Sequence, residues 1–412
     1  MRDQFERREF LEKLGIGTAG VLTAGYTATA RGYAANETIN IGAIGTGGRC
    51  RQLMGTLNEI PGVKIVAVCD LWEPHLNKGK ELAIPGAKVT KDHHELLAND
   101  DIDAVVIGTS DHWHVPITVD ACNAGKDVYV EKPLTHDLQE GQAVVDAQNK
   151  NKRIVQVGMQ QRSMPHLIEA NKIIRSGKLG TIHKVHLTWN RNSPRARRRK
   201  YGIAPQDLDW KRFLGNAKDQ PFDEYRFRNW RWFWDFGGGI FTDLMVHYVD
   251  VAHWFLDLEH PKVATSIGNH FRAKGLWETP DTVQTLMQYP GDELQIHFEG
   301  TFVNANFAAS MEFMGSDATL YCDRGRYEIH PEHRRKIRYS EMVLGKGSRG
   351  KDFYDLPNGR LLHLTNWLEC IRSRNRPNAP AEAGVSAASA AHLANLALRA
   401  GAVARWEEHA TI

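Results

Sequence analysis

The amino-acid sequence predicts an α/β protein with a parallel sheet in its N-terminal domain and an α+β C-terminal domain containing a large, open, mainly antiparallel sheet. The length of 412 residues, with 42% hydrophobic residues, is sufficient for two domain cores. Between residues 38 and 160, short β-branched runs alternate with helical stretches, as expected of parallel strands buried on both faces. Beyond residue 160, longer segments alternate apolar and polar residues, as expected of strands with one exposed face.

Individual segments predict the elements of these two sheets. The runs that predict parallel strands are residues 39–44, 64–68, 104–107 and 127–130. Alternation at residues 183–189 and 294–298 predicts strands of the second sheet. From Arg360 the chain becomes helical again, and the Ala-rich run at residues 385–404 predicts a helix that packs back on the body of the protein. The domains are therefore expected at residues 36–160 and 161–412.

The first 35 residues differ in character from the rest. Arg7 and Arg8 precede a weakly apolar stretch rich in Gly, Ala and Thr at residues 14–30, and small residues follow it. This pattern predicts a twin-arginine export signal at residues 1–35 and a periplasmic location for the remainder. The alternative is an N-terminal amphipathic helix. The stretch is too short and too interrupted for a stable membrane span, and no other segment is long and apolar enough.

Charge and cysteine content exclude several classes of partner. The formal net charge is +3, from 52 basic and 49 acidic residues, which argues against nucleic acid or an anionic membrane. Five scattered cysteines without a CxxC motif indicate neither a disulfide framework nor a structural zinc site. The histidine pairs at residues 93/94 and 112/114 lack a carboxylate or cysteine set in the sequence, so no metal is predicted.

A glycine-rich turn follows the first predicted strand. Residues 45–50 fit GxGxxG, with Cys50 in place of the last small residue. Such glycines permit a tight turn and a close approach of a pyrophosphate to backbone N–H groups at a helix N-terminus. The next strand ends at Asp70, about 20 residues further on, where a carboxylate accepts hydrogen bonds from ribose hydroxyls. These features predict a dinucleotide-binding Rossmann domain.

The acidic side chain favours NAD over NADP. A carboxylate at Asp70 would repel a 2′-phosphate, whereas Arg49 could pair with one, so NADP stays open. A Rossmann-like domain that binds no cofactor is the remaining alternative.

Three further motifs follow in order. They are Thr-Ser-Asp-His-Trp-His at residues 109–114, Glu-Lys-Pro at residues 131–133, and Gly-Gly-Gly-Ile-Phe-Thr-Asp-Leu-Met-Val-His at residues 237–247. With the glycine turn, they make the chain resemble the Gfo/Idh/MocA family, which includes glucose-fructose oxidoreductase and inositol dehydrogenase, over residues 38–400. The family usually has Thr-Pro-Asn in the first of them, so Ser110 and Asp111 depart from its pattern.

This resemblance implies NAD(P)-dependent chemistry on a carbohydrate and assigns the cofactor contacts. They are Gly45, Thr46, Gly47, Gly48, Arg49, Asp70, Thr109, Ser110, Trp113, His114, Glu131 and Lys132.

Lys132 is a candidate acid or base, because partial burial and the positive charge of an oxidised nicotinamide both disfavour an ammonium group. The alternative is a solvent-exposed lysine at the end of a strand, without a catalytic role.

Asp243 and His247 stand four residues apart, which places them on one face of a helix. His247 is the predicted general base, and Asp243 its partner or a substrate ligand, as in the family. The alternative is a helix cap and a core histidine.

Four residues are assigned to the substrate. The segment at residues 225–234 is dense in aromatic rings and guanidinium groups, which suit the faces and hydroxyls of sugars, and Arg228 and Trp232 are nominated from it. The segment could equally be a packing block. Gln161 and Arg162 follow the sixth strand, where the family's substrate pocket begins. The basic run at residues 195–200 is a solvated loop, a subunit contact or a clamp on an acidic substrate.

Three functions are compatible with these features. The first is hydride transfer between a sugar, polyol or glycoside hydroxyl and a tightly bound NAD(P). The second is cleavage of a glycoside through transient oxidation and elimination. The third, from another class, is non-catalytic sugar binding. A homo-oligomer is expected, since open sheets in this family commonly pair.

Overall fold

A computed structural model describes residues 38–291, 293–350 and 358–409. The export signal predicted for residues 1–35 lies outside these ranges. None of the helices in the described part of the chain combines the length and hydropathy needed to cross a bilayer.

The first sheet has six strands, all parallel, and forms the N-terminal half. Its strands are β1 Ile39–Ile44, β2 Val63–Cys69, β3 Lys88–Thr90, β4 Ala104–Ile107, β5 Asp127–Val130 and β6 Val155–Val157. Their order is β3-β2-β1-β4-β5-β6, so the chain reverses its direction of winding between β1 and β4. Open α/β sheets bind ligands at the carboxyl ends of strands where this reversal occurs. The predicted Rossmann sheet is confirmed.

Helices cover both faces of this sheet. They are α1 Gly48–Leu57, α2 Glu73–Lys80, α3 His93–Leu97, α4 His114–Asn123 and α5 Gly141–Asn151. Leu53 and Met54 of α1 pack into the core on one face. Leu96 of α3, Ile117 of α4 and Val144 of α5 contribute to the core on the other. Burial on both faces explains why the strands are almost continuously apolar.

The second sheet has nine strands. They are β7 Ile182–Asn190, β8 Val263–Asn269, β9 Thr282–Gln288, β10 Gln295–Thr301, β11 Ala309–Gly315, β12 Ala318–Cys322, β13 Arg326–Pro331, β14 Ser340–Val343 and β15 Ala404–Arg405. Their order is β14-β13-β12-β11-β7-β10-β9-β8-β15, and every pair is antiparallel except β7 with β10. In β10, buried residues alternate with more exposed ones, as the sequence pattern at residues 294–298 predicted.

The remaining helices connect the two halves. They are α6 Pro165–Arg175, α7 Trp210–Leu214, α8 Glu224–Arg228, α9 Val246–Leu256, α10 Gly359–Ser373, α11 Ala381–Ala400 and α12 Trp406–His409. α10 packs on the first sheet through Trp367, whose ring contacts Tyr129 edge-on. α11 approaches the same domain closely because Gly384, which lacks a side chain, faces Val157 and Leu134. The predicted return of the C-terminal helices is therefore observed.

Candidate active site

The glycine turn lies between β1 and α1. Gly45 has a φ of +74°, and a Cβ there would lie 2.6 Å from the side chain of Thr109, so only glycine fits. α1 begins at Gly48, and no side chain caps its N-terminus or places an acidic group in its first turn. A Cβ built on Gly48 meets nothing within 4 Å. The backbone N–H groups of this helix start are therefore accessible to an anion.

A cleft of about 360 Å³ runs from this turn across the carboxyl ends of the strands. The first domain lines it with glycines 45, 47 and 48, with Arg49 and Asp70, and with Thr109, Ser110 and Trp113. The C-terminal half contributes Phe213, Phe227, Arg228, Trp230 and Arg231. Open glycines, uncapped backbone N–H groups and a carboxylate at the end of β2 fit a dinucleotide.

Asp70 is held in place at the glycine-turn end of this cleft. It is 9% exposed, and its Oδ1 accepts a hydrogen bond of 2.9 Å from the backbone N–H of Trp72. His75 lies 3.6 Å from its other oxygen. Arg49 does not face this carboxylate, since its Nε donates to Glu131 at 2.7 Å. This geometry therefore disfavours the alternative in which Arg49 pairs with a 2′-phosphate next to Asp70.

Arg228 also lies at this end, which corrects its assignment to the substrate. Its Nη1 contacts His75 Nε2 at 3.0 Å, and its guanidinium lies 5.1 Å from the ring centre of Trp72. These are residues that follow β2, so Arg228 borders the part of the cleft next to Asp70.

The Glu-Lys-Pro segment is fixed by two buried contacts. Glu131, 6% exposed, pairs with Arg49, and the ring Nδ1 of His114 lies 2.6 Å from the carbonyl oxygen of Pro133. His114 is 1% exposed, and burial lowers its pKa to about 4. The neutral ring therefore supports the loop from behind rather than lining the cleft, which corrects its assignment as a cofactor contact.

Lys132 is joined to a residue that lies far along the sequence. Its Nζ donates to Asp243 Oδ1 at 3.0 Å and to the carbonyl oxygen of Asp243 at 2.6 Å. Arg231 lies 3.3 Å and Arg195 3.9 Å from the same carboxylate. Burial alone would raise the pKa of Asp243, but these three cations outweigh it and hold the pKa well below its usual range. Asp243 is therefore ionised.

His247 lies stacked on Trp189, with ring centres 5.4 Å apart and an interplanar angle of 23°. Burial, together with the positive charges of Lys132 and Arg324, lowers its pKa well below the usual value. Among the described residues, none hydrogen-bonds to its ring. The imidazole is therefore neutral and available to accept a proton.

Asp243 does not orient this ring, which corrects the predicted Asp–His pair. Phe241–Met245 form a π-helical turn, and α9 starts only at Val246. The wider turn changes the angular relation that residues four apart have in an α-helix. The carboxylate of Asp243 accordingly contacts Lys132 instead of His247.

Two of the predicted substrate residues have structural roles. Trp232 is 3% exposed and stacks on Trp277 with ring centres 4.3 Å apart. The Nε of Arg162 donates to both oxygens of Asp250, at 2.9 and 3.0 Å, and Asp250 is fully buried. Neither side chain is available to a substrate. Gln161 remains a candidate, because its amide is 4% exposed and its nitrogen and oxygen have no hydrogen-bond partner.

Arg195 lies in the basic run and Arg231 in the aromatic segment, and no local pattern predicts a role for either residue alone. Only the fold brings both guanidinium groups to Asp243. Carboxylates do lie next to His93 and His94, contrary to expectation. One ligand atom each from Asp92, His93 and His94 lies within 4.8 Å of the others, although Asp92 caps α3 and pairs with Arg212.

Comparison with known families agrees with this architecture. Residues 39–159 match the model of the GFO_IDH_MocA oxidoreductase family, NAD-binding Rossmann fold, and residues 167–321 match the GFO/IDH/MocA C-terminal domain. The chain belongs to the GFO/IDH/MocA family. The predicted resemblance is thus confirmed, together with an NAD-binding Rossmann domain.

Curated relatives of this family member include inositol dehydrogenases. Inositol 2-dehydrogenase of Salmonella typhimurium is 34% identical over 149 residues, which cover 36% of this chain and 43% of that protein. The alignment therefore spans less than half of that relative. scyllo-Inositol 2-dehydrogenase (NAD(+)) of Bacillus subtilis is 28% identical over 334 residues, covering 78% of this chain and 82% of that protein.

Solved structures share this fold over most of the chain. Aldose-aldose oxidoreductase of Caulobacter crescentus matches with a TM-score of 0.68 and 18% identity, covering 89% of this chain and 99% of that one. Levoglucosan dehydrogenase also matches with a TM-score of 0.68, at 16% identity, covering 89% and 98%. At these identities the likeness concerns the fold alone.

Proposed function

We propose that this protein is an NAD-dependent dehydrogenase that oxidises a hydroxyl group of a sugar or polyol. The observation that carries the proposal is the cluster next to the dinucleotide cleft, where Lys132 and the ionised Asp243 lie 3.0 Å apart and neutral His247 lies close by. Relatives named inositol 2-dehydrogenase support a polyol substrate. The same relatives favour net oxidation over glycoside cleavage or non-catalytic sugar binding.

The residues of the cluster divide the work of hydroxyl oxidation. When bound, NAD⁺ supplies the hydride acceptor. His247 accepts the hydroxyl proton, because its ring is neutral and is not hydrogen-bonded to any described residue. Lys132, fixed by Asp243, stabilises the negative charge that develops on the substrate oxygen. Trp189 holds the plane of the imidazole by stacking.

The cofactor is proposed to be NAD rather than NADP. Asp70 lines the cleft at the end of β2, where its charge disfavours a 2′-phosphate, and Arg49 is paired with Glu131 instead.

We further propose that the cofactor is held tightly and recycled within the site. The chain between α7 and residue 231 covers the cleft, because Phe213, Phe227 and Trp230 form part of its wall. This cover is anchored to the first domain, since Trp113 Nε1 donates to the carbonyl oxygen of Phe213 at 2.9 Å and His112 Nε2 lies 2.8 Å from it. A reduced cofactor that stays bound under this cover would be oxidised again by a second substrate.

A tightly held cofactor is compatible with the proposed export of a folded protein by a twin-arginine signal at residues 1–35. Replacing Arg7 and Arg8 by lysine would test this by cell fractionation. Retention of the double variant in the cytoplasm is the expected result, and unchanged export would contradict the proposal.

The open face of the second sheet supports a homo-oligomer. Ile267 of β8 and Leu286 of β9 lie on this face and are 62% and 55% exposed. We propose that two copies pair through it. Light scattering after gel filtration should show a smaller species for Ile267→Glu with Leu286→Glu, and an unchanged mass would argue against this interface.

The enzymatic proposal is tested on purified protein without added nucleotide. Denaturation should release NAD, identified by mass spectrometry. Addition of polyols or aldoses to the native protein should then produce the absorption band of reduced nicotinamide. A protein that releases no nucleotide, binds none and shows no such band with any sugar would exclude the proposed function.

A further inference from the structure

Two adjacent histidines and a carboxylate from another helix form a cluster that has no role in the mechanism above. His93 and His94 are the first two residues of α3, and Asp120 lies in α4. Asp120 Oδ2 lies 3.2 Å from His93 Nε2 and 3.7 Å from His94 Nδ1. The centres of the two imidazole rings are 4.0 Å apart. A single carboxylate oxygen is therefore close to one nitrogen of each ring.

Only the fold assembles this cluster. Asp120 lies 27 residues beyond His93, so no ligand motif is visible in the sequence. Asp92 fixes the start of α3 by accepting the N–H of His94 at 2.9 Å, and its other oxygen pairs with Arg212 at 3.1 Å. Within the described part of the chain, the carboxylate of Asp120 pairs with no lysine or arginine. Its charge is therefore available to a cation that the two rings bind.

The donor atoms and their spacing match a transition-metal centre. Imidazole nitrogen and carboxylate oxygen bind Zn²⁺ at about 2.0–2.2 Å, and ligands at these distances in a tetrahedral site lie about 3.3 Å apart. The two nitrogen–oxygen distances of the cluster are close to this value. Two nitrogen ligands disfavour Mg²⁺ and Ca²⁺, which prefer oxygen. A fourth position is left for water or for Asp92, which has a ligand atom within 4.8 Å of one on each histidine.

The exposure of the three side chains suits an ion that enters from solvent. The side chain of His93 is 11% exposed, whereas those of Asp120 and His94 are 38% and 68% exposed. The buried ring is thus a fixed ligand, and the two exposed groups can turn towards the ion. An ordinary hydrogen bond between His93 and Asp120 is the alternative. It accounts for the shorter contact but leaves unexplained the position of the exposed His94 next to the same oxygen.

We propose that His93, His94 and Asp120 bind one divalent transition-metal ion, represented by Zn²⁺, which joins α3 to α4. The role of the ion is structural, and it takes no part in hydride transfer. Because the three ligands come together only in the folded chain, binding stabilises the fold. His93 also lines the dinucleotide cleft, and its ring contacts Trp113 edge-on with centres 5.7 Å apart, so the ion supports this wall of the cleft.

Calorimetric titration of the purified protein with ZnCl₂ tests the site. The protein carries no histidine tag and is treated with EDTA and dialysed beforehand. Wild type should bind one ion per chain, and saturating Zn²⁺ should raise its melting temperature. His94→Ala and Asp120→Asn each impair one ligand, so each should bind Zn²⁺ at least about 10-fold more weakly. Zn²⁺ should raise the melting temperature of either variant less than that of wild type.

Two further variants separate metal binding from ordinary packing. His93→Gln keeps a hydrogen-bond donor for Asp120 but removes the imidazole, so it should remain folded without metal and bind Zn²⁺ weakly. His186→Ala is the matched control. His186 and His297 form another histidine pair, on the neighbouring strands β7 and β10, with ring centres 5.4 Å apart. His186→Ala should bind Zn²⁺ as tightly as wild type.

Heat of binding and melting temperature do not depend on turnover, so failure of this proposal leaves the proposed dehydrogenase intact. Wild type that binds no Zn²⁺, or binds it no more tightly than His94→Ala and Asp120→Asn do, would overturn the metal site. Loss of binding in His186→Ala, with binding kept in the variants of the cluster, would overturn it as well and place the ion on the second sheet.

Discussion

The two ends of the cleft differ in how their polar groups are arranged. At the Asp70 end, the polar groups are the uncapped backbone of the glycine turn and one carboxylate, which accepts a hydrogen bond from the N–H of Trp72. At the Lys132 end, the contacts join residues far apart in the chain, and three cations surround the carboxylate of Asp243. The first end is built to hold a ligand, whereas the second concentrates charge and proton-accepting groups for a reaction.

Replacing Lys132 by methionine should have the largest effect and separate the two ends. Loss of the ammonium removes charge stabilisation from the reacting oxygen, so kcat/KM should fall by about 10²- to 10⁴-fold. The bound NAD content should stay at the wild-type level, because Asp70 and the glycine turn are untouched. Steady-state rates and cofactor quantification after denaturation would check this. Lys150→Met, on an exposed part of α5, is the matched control, and loss of NAD from Lys132→Met would mean that the ends are not separable.

Trp232 tests whether the aromatic segment belongs to the site or to the core. Because its ring is buried against Trp277, Trp232→Ala should lower the free energy of unfolding by about 3–5 kcal/mol. Folded protein should retain its KM for substrate. Denaturant unfolding measures the stability and steady-state kinetics measure KM. Trp234 is less buried, so Trp234→Ala should lower the free energy of unfolding by a smaller amount. A raised KM at unchanged stability would restore Trp232 as a substrate contact.

Asp70→Ala should affect the binding end alone. Losing the ribose contacts is expected to weaken NAD binding by about 10- to 100-fold and to reduce the preference for NAD over NADP. The kcat at saturating cofactor should be unchanged. Titration of NAD-depleted protein measures both affinities. Asp70→Asn keeps an acceptor for the Trp72 N–H and separates the effect of charge from that of loop structure. An unchanged preference for NAD in both variants would place the ribose elsewhere.

Buried histidines outside the reaction centre should make the stability of the protein depend on pH, which is the smallest of the expected effects. Burial lowers the pKa of His114, His363 and His392 to about 4, compared with about 6.5 in an unfolded chain. Between these values the unfolded state binds protons that the folded state does not, so stability decreases as the pH falls from about 6.5 towards 4. Each histidine contributes up to about 1.4 kcal/mol per pH unit. Unfolding at several pH values should show a shallower slope for His392→Gln than for wild type or for His183→Gln, an exposed control. Equal slopes would contradict the burial argument.

The parts of the molecule that the sequence predicts well depend on local patterns. Continuous apolar runs and the glycine turn specify the parallel sheet and the place of Asp70, since both depend on residues that are near each other in sequence. Lys132, Asp243 and His247 were identified by motif, but their partners were not. The π-helical turn breaks the i,i+4 geometry that paired Asp243 with His247, and it joins Asp243 to Lys132 instead. Arg162 and Trp232 were misassigned because Asp250 and Trp277, which satisfy them, are distant in sequence.

Isotope transfer would test the central claim, oxidation of a hydroxyl-bearing carbon by the retained cofactor, most directly. The purified protein is mixed with a polyol that is deuterated at its hydroxyl-bearing carbons, without added NAD, and the released cofactor is analysed by mass spectrometry. The account predicts reduced cofactor carrying one deuterium from wild type and almost none from Lys132→Met. Product formation from wild type without deuterium in the cofactor would contradict it.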